Sequence, residues 1–189
     1  MSENEKVGMT TTQVDGKTDV RPGEDVRELV FSRIIDAPRA LVFRAWTDPV
    51  HFARWWGPHG MTNPICDIDL RPGGAFRIVM QDEAGGQYPV SGTYIEIAEP
   101  ERLVITLAAT DHPPEWHDQL NQYLPHDSAE PALQQTWTVT FEEHGGGKTR
   151  LTIVDRFATG ADRDGAMKLG HVEGVSQSLE RLAALTESQ

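Results

Sequence analysis

Apolar residues recur along this chain at two periods, and the periods change in a definite order. From Val26 to Ile35, Leu29, Phe31, Arg33 and Ile35 alternate with Val30, Ser32 and Ile34, a β-strand pattern rich in β-formers. Asp36-Ala37-Pro38 then opens a helix, with Asp36 close to the N-cap and Pro38 in the first turn. Its buried stripe is Leu41, Val42, Ala45 and Trp46. Thr47-Asp48-Pro49 stops it and starts a second short helix, with Phe52, Trp55 and Trp56 on one side, which Gly57-Pro58-His59-Gly60 ends.

Period two then returns. Strands are expected at residues 65–70, 76–80, 90–97, 103–107, 135–141 and 150–157, with Arg71-Pro72-Gly73-Gly74 and Gly145-Gly146-Gly147 as turns. One long amphipathic helix over about 163–186 closes the chain, with Val172, Val175, Leu179 and Leu182 inward and Gln177, Glu180 and Arg181 outward. Short turns imply an antiparallel sheet, and a sheet with one apolar face needs a cover. The fold class is therefore α+β: seven antiparallel strands curved around a C-terminal helix, with two short helices after the first strand. Residues 1–25 lack any apolar period and read as a disordered leader, so the domain spans 26–187.

Three motifs at compatible spacing resemble one known family. Residues 36–49 (Asp36-Ala37-Pro38-Arg39 through Trp46-Thr47-Asp48-Pro49), Trp55-Trp56-Gly57-Pro58 and Asp69-Leu70-Arg71-Pro72-Gly73-Gly74 are similar to signatures of the activator of heat-shock chaperone ATPase homologue family. That family lies in the SRPBCC, or START-like, superfamily. The resemblance covers about 27–187 and implies a helix-grip fold. It implies no single function, because the superfamily holds ligand carriers, cyclases, hydrolase components and chaperone regulators. Similar sequences carry Gly-Trp where this chain has Gly174-Val175, which implies extra room beside Val175. The stretch Asp111 to Pro131 is longer than the family's usual connection.

Composition narrows the partners. Twenty-nine acidic residues against 17 basic ones give a net charge of −12, which opposes binding to nucleic acid or an anionic membrane. The lone cysteine, Cys66, forms no internal disulfide and suits a cytoplasmic setting. The acidic N-terminus does not read as a secretory signal, and no apolar run approaches the roughly 20 residues that cross a bilayer.

The leading functional expectation is a small, largely apolar ligand held between the last helix and the sheet. The candidate binding residues are Trp55, Trp56, Phe76, Ile78, Met80, Tyr94, Trp137, Phe157, His171 and Val175, with His171 and Tyr94 as the orienting polar groups. Adjacent Trp55 and Trp56 would point about 100° apart on a helix, so one packs and the other is available. A chaperone-interaction or regulatory domain is the alternative implied by the resemblance, and a cyclase- or hydrolase-like enzyme is a third reading. The enzyme would need Asp155 to meet His171. The preferred reading of Asp155 is instead a solvated strand end, or a residue turned outward by a bulge. No cofactor is implied. His112, His117 and His126 have the wrong spacing for a metal, so their segment reads as a polar loop, with Trp116, Leu120, Tyr123 and Leu124 suited to a lid.

Overall fold

A computed structural model describes residues 12–13, 17–124 and 133–188. Its core is one antiparallel sheet. The strands are β1 (Thr12–Gln13), β2 (Thr18–Pro22), β3 (Glu28–Ile35), β4 (Thr62–Ile68), β5 (Ala75–Gln81), β6 (Gln87–Ala98), β7 (Arg102–Ala108), β8 (Gln134–His144) and β9 (Lys148–Phe157). They lie side by side in the order β1-β2-β3-β9-β8-β7-β6-β5-β4. All seven expected strands are present. The eighth, β2, and the two-residue β1 fall inside the expected leader, so that stretch is not wholly disordered. Val20 and Thr18 of β2 are buried, and Arg33 on β3 donates to the Thr18 hydroxyl at 2.8 Å. One apolar residue in five leaves no readable period, so the pairing with β3 was invisible in sequence. The remaining leader residues, 1–11 and 14–16, lie outside the described residues.

The turns follow their chemistry. The Gly74 N–H donates to the Arg71 carbonyl at 2.8 Å, and Gly73, at the third turn position, has φ 80°. Gly92 of β6 is demanded by crowding: a Cβ there would lie 1.8 Å from the Thr106 carbonyl oxygen and 2.6 Å from the Phe76 ring. Two residues on, the β6–β7 register shifts between Tyr94 and Glu96, a bulge that adds twist to the sheet.

Helices α1 (Arg39–Thr47) and α2 (Pro49–Trp55) follow β3. Asp48 caps α2 by accepting from the Val50 and His51 N–H groups. The first cap differs from expectation. Pro38 occupies the position before α1, while Asp36 lies further out, pairing with Lys148 at 3.2 Å. The 111–131 stretch contains a helix, α3 (Pro114–Asn121), rather than only a polar loop; His126 lies outside the described residues.

The expected long terminal helix is two helices, α4 (Gly160–Lys168) and α5 (His171–Glu187). Thr159 and Asp162 form a capping box at the start of α4. Gly170 separates the pair with φ 84°, a left-handed conformation that a continuous helix cannot contain. Apolar spacing runs across this break, which is why the pattern looked continuous. Val175, Leu179, Leu182 and Ala183 of α5 are buried in the single apolar core formed with the sheet. No described helix is long and apolar enough to cross a membrane.

Candidate functional site

The trough between sheet and helices is filled at one end and open at the other. Trp46, Phe52 and Trp55 fill the first end. Trp46 and Trp55 lie 4.8 Å apart between ring centroids, and Phe52 meets Phe76 at 6.5 Å. The Trp55 indole N–H donates to the Ala45 carbonyl at 2.8 Å. Phe76 in turn meets Tyr94, their rings tilted with centroids 5.7 Å apart, and Ile78 is wholly buried.

Towards the start of α5 the aromatic filling stops, and a cavity of about 230 Å³ remains. Trp56, Met80, Trp137, His171 and Val175 line it, all candidates from the sequence. Trp55, Phe76, Ile78, Tyr94 and Phe157 do not. Four of those have the right strand parity but lie beyond the open end or behind its wall; Phe157 backs His171 at 5.4 Å. Of the two adjacent tryptophans, Trp55 packs into the core at 1% exposure, whereas Trp56, at 6%, is turned to the cavity and not to an exposed surface where a protein partner could reach it. Trp56 has extended backbone, φ −60° and ψ 138°, because α2 has already ended, so the helical 100° offset does not apply.

The sequence reading missed other lining residues. His112 and Trp116 come from the long connection, and their rings meet at 4.4 Å. Gly174 lines the cavity too, and a Cβ added there would meet nothing within 4 Å. Ser178 and Gln135 add polar groups, although the Ser178 hydroxyl donates to the Gly174 carbonyl at 2.9 Å. The four residues suggested for a lid do not act as one face. Trp116 reaches the cavity, whereas Leu120 and Leu124 are buried, with Leu124 packed beside Gly165 of α4. Tyr123 stays largely exposed, with the Lys168 ammonium 5.5 Å from its ring.

The polar floor of the cavity corrects the reading of Asp155. Its side chain is 0% exposed, and His171 Nε2 lies 2.6 Å from its Oδ2. Strand register explains the placement. Asp155 sits opposite Trp137 on β8, on the inner face, with no bulge to turn it outward. Burial pushes the Asp155 carboxyl up from the usual range, and the bond to His171 works against that shift. The Trp137 N–H also favours the ionised carboxylate, but its geometry falls short of a hydrogen bond, so Oδ1 has no partner. Tyr94, the other expected polar group, is buried away from the cavity, and burial raises its phenol above the usual range.

His112 is the second polar feature. Both ring nitrogens are buried without a hydrogen-bond partner, and burial lowers its pKa to about 4. Its imidazole is therefore neutral at pH 7, one nitrogen a donor and the other an acceptor. Among the described residues, no group of three His, Cys, Asp or Glu side chains converges to hold a metal ion.

Across the sheet a larger depression, about 1170 Å³ and open to solvent, runs past the outward residues Arg77, Ser91, Thr93, Thr106 and Arg156. It lacks convergent buried polar groups. The inner cavity, with His171 and His112 in its lining and Asp155 behind His171, is the candidate site.

Residues 36–187 match the family model described as Activator of Hsp90 ATPase homolog 1-like protein. A crystal structure of a protein from Nitrosomonas europaea is 26% identical, with a TM-score of 0.70, covering 88% of this chain and 97% of that one. A crystal structure described as the AHSA1 protein from Silicibacter pomeroyi is 26% identical, with a TM-score of 0.60, covering 83% of this chain and 95% of that one. A Mycobacterium smegmatis protein shares the fold at 24% identity and a TM-score of 0.72, covering 91% and 98% of the two chains. No curated protein matches the chain.

Proposed function

Because the chain belongs to the Activator of Hsp90 ATPase homolog 1-like family, within the SRPBCC superfamily, we propose that it is a binding domain for a small, largely apolar molecule. The family supports a ligand-binding or regulatory domain. The observation that favours ligand binding is the cavity of about 230 Å³ at the start of α5. Three aromatic rings wall it, from Trp56, Trp116 and Trp137. Ligand sites combine such walls with a few placed polar groups, and here those are His171 and His112. The volume is below the usual range of about 300–1,000 Å³, which points to a compact ligand rather than a long acyl chain.

A surface role in chaperone binding rests on the family name alone. Trp55 and Trp56, the aromatic residues best suited to such a patch, are both buried.

Titration of a panel of apolar probes, from one-ring aromatics to flavonoids and fatty acids, against tryptophan fluorescence tests the proposal. Saturable quenching by the compact members is expected, since three of the indole rings line the cavity. The Val175→Trp variant, which places an indole beside the space, should abolish it. Quenching that persists undiminished in that variant, or is absent across the panel, would falsify the reading.

A further inference from the structure

Asp155 and His171 give the cavity floor a defined polarity. A buried carboxylate accepts hydrogen bonds, so at 2.6 Å the Nε2 atom carries the proton and donates it. In the tautomer that places Nε2–H against Asp155, the lone pair of the ring is on Nδ1. That nitrogen has no hydrogen bond among the described residues, while the ring itself lines the cavity. The floor therefore offers an acceptor.

His112 is an independent second polar feature of the cavity wall. Its two ring nitrogens are shielded from solvent yet unpaired, an unfavourable arrangement unless something else in the cavity meets them. Apart from Ser178 and Gln135 the remaining wall is apolar and aromatic, and the space is limited. A cavity of about 150 Å³ lined by apolar side chains holds benzene, so about 230 Å³ suits one or two fused rings.

On the basis of the ligand-binding reading above, we infer that the cavity selects compact aromatic molecules bearing a weakly acidic hydroxyl. In this arrangement the hydroxyl donates to His171 Nδ1, and Asp155 is a positioning residue that keeps that nitrogen an acceptor. An ether or hydrocarbon of the same shape gains nothing at this position and leaves Nδ1 unpaired. The protein's net charge of −12 further disfavours anionic ligands, so a hydroxyl that enters neutral suits the site better than a carboxylate.

Equilibrium dialysis of the full chain against 2-naphthol, 2-methoxynaphthalene, 2-methylnaphthalene and 2-naphthoic acid tests the inference. The naphthol should bind at least about tenfold more tightly than the ether or the hydrocarbon, and more tightly than the acid. In Asp155→Asn the amide N–H can donate to Nε2 and move the imidazole proton to Nδ1. The naphthol-to-hydrocarbon ratio should then fall below about threefold. A merely structural loss would lower both affinities and preserve their ratio, which would overturn the role given to Asp155. His171→Phe keeps a ring in place and should abolish the preference, so the inference stays testable should Asp155→Asn misfold. Equal affinities for naphthol and hydrocarbon in the unmodified protein would overturn hydroxyl selection and leave the apolar cavity standing. Failure of every probe to bind would overturn the ligand-binding reading itself. Preference for the acid would show that the site takes anions and refute the neutral hydroxyl.

Discussion

Four main-chain carbonyls, from Arg54, Trp56, Gly57 and Pro58, converge on the guanidinium of Arg181 at 2.8 to 3.1 Å. By its spacing on the terminal helix Arg181 reads as an outward residue. It lies instead over the end of α2, where helical carbonyls run out of partners, and burial lowers its pKa. Helical periodicity could not show this, because the partners are more than 120 residues away in sequence. Lysine cannot reproduce the planar fork, so Arg181→Lys should cost about 2 kcal/mol in urea unfolding, and Arg181→Ala more. His112 gives a prediction with a pH signature. Its folded-state pKa, about 4, lies below that of an unfolded histidine, so the unfolded chain binds more protons between about pH 4 and 6.5. The contribution of His112 to stability should be fully present above that window and lost as pH falls through it. Asp155, raised by burial, acts in the opposite sense, its contribution declining as pH rises above the ordinary carboxyl range. Comparing wild type with His112→Phe at each pH isolates the histidine, and the difference should change by on the order of 2 kcal/mol between pH 7 and 4. The Cys66 thiol, pushed up to about 11 by burial and by Asp67 and Asp48, should react with a disulfide reagent at pH 7.5 far more slowly than an unfolded cysteine.

Among the elements, the break between α4 and α5 separates two glycines that look alike in sequence. Gly170 has φ 84° and no atom nearer than 3.9 Å to an added Cβ, so Gly170→Ala pays only for its conformation. The expected loss is about 1 kcal/mol, or roughly 2–4 °C in Tm for a chain of this size. Gly174 has ordinary helical backbone inside α5 and open space around it. Gly174→Ala should therefore stabilise by about 0.5–1 kcal/mol in thermal unfolding while narrowing the cavity, and it should weaken compact ligands without unfolding the domain. Strands and turns were legible because period two, Pro72-Gly73 and the triglycine encode them directly. The helix break was not, because Val172 to Leu182 keeps a helical period whether or not Gly170 continues the same helix.

At the scale of the molecule, the site was legible as far as parity and topology carried it. Trp137 and Met80 follow from strand alternation, and Val175 and His171 from the inward face of the last helix. Parity fails for Phe76, Ile78 and Tyr94 because it identifies the inner face of the sheet without saying where along that face side chains meet. Trp46, Phe52 and Trp55 fill that end of the trough, and only three-dimensional packing reveals the boundary. His112 and Trp116 reach the cavity from a connection whose amphipathic pattern is too short to read. The same limit hid β2, whose burial rests on Thr18 and Val20 alone.

The left-handed link at Gly170 divides the cavity's roof into a long beam and a separate short panel. The beam, α5, is tied down along its length: Arg181 grips the carbonyls of residues 54–58, and Gln177 accepts from the His59 N–H at 3.0 Å. The panel, α4, rests on Leu124 and carries Ala166 and Leu169 at the cavity's edge. The two helices are thus held by separate sets of contacts, meeting only at Gly170 in sequence. The Asp155–His171 floor, which lies between β9 and the first turn of α5, therefore belongs with the beam and not with the panel.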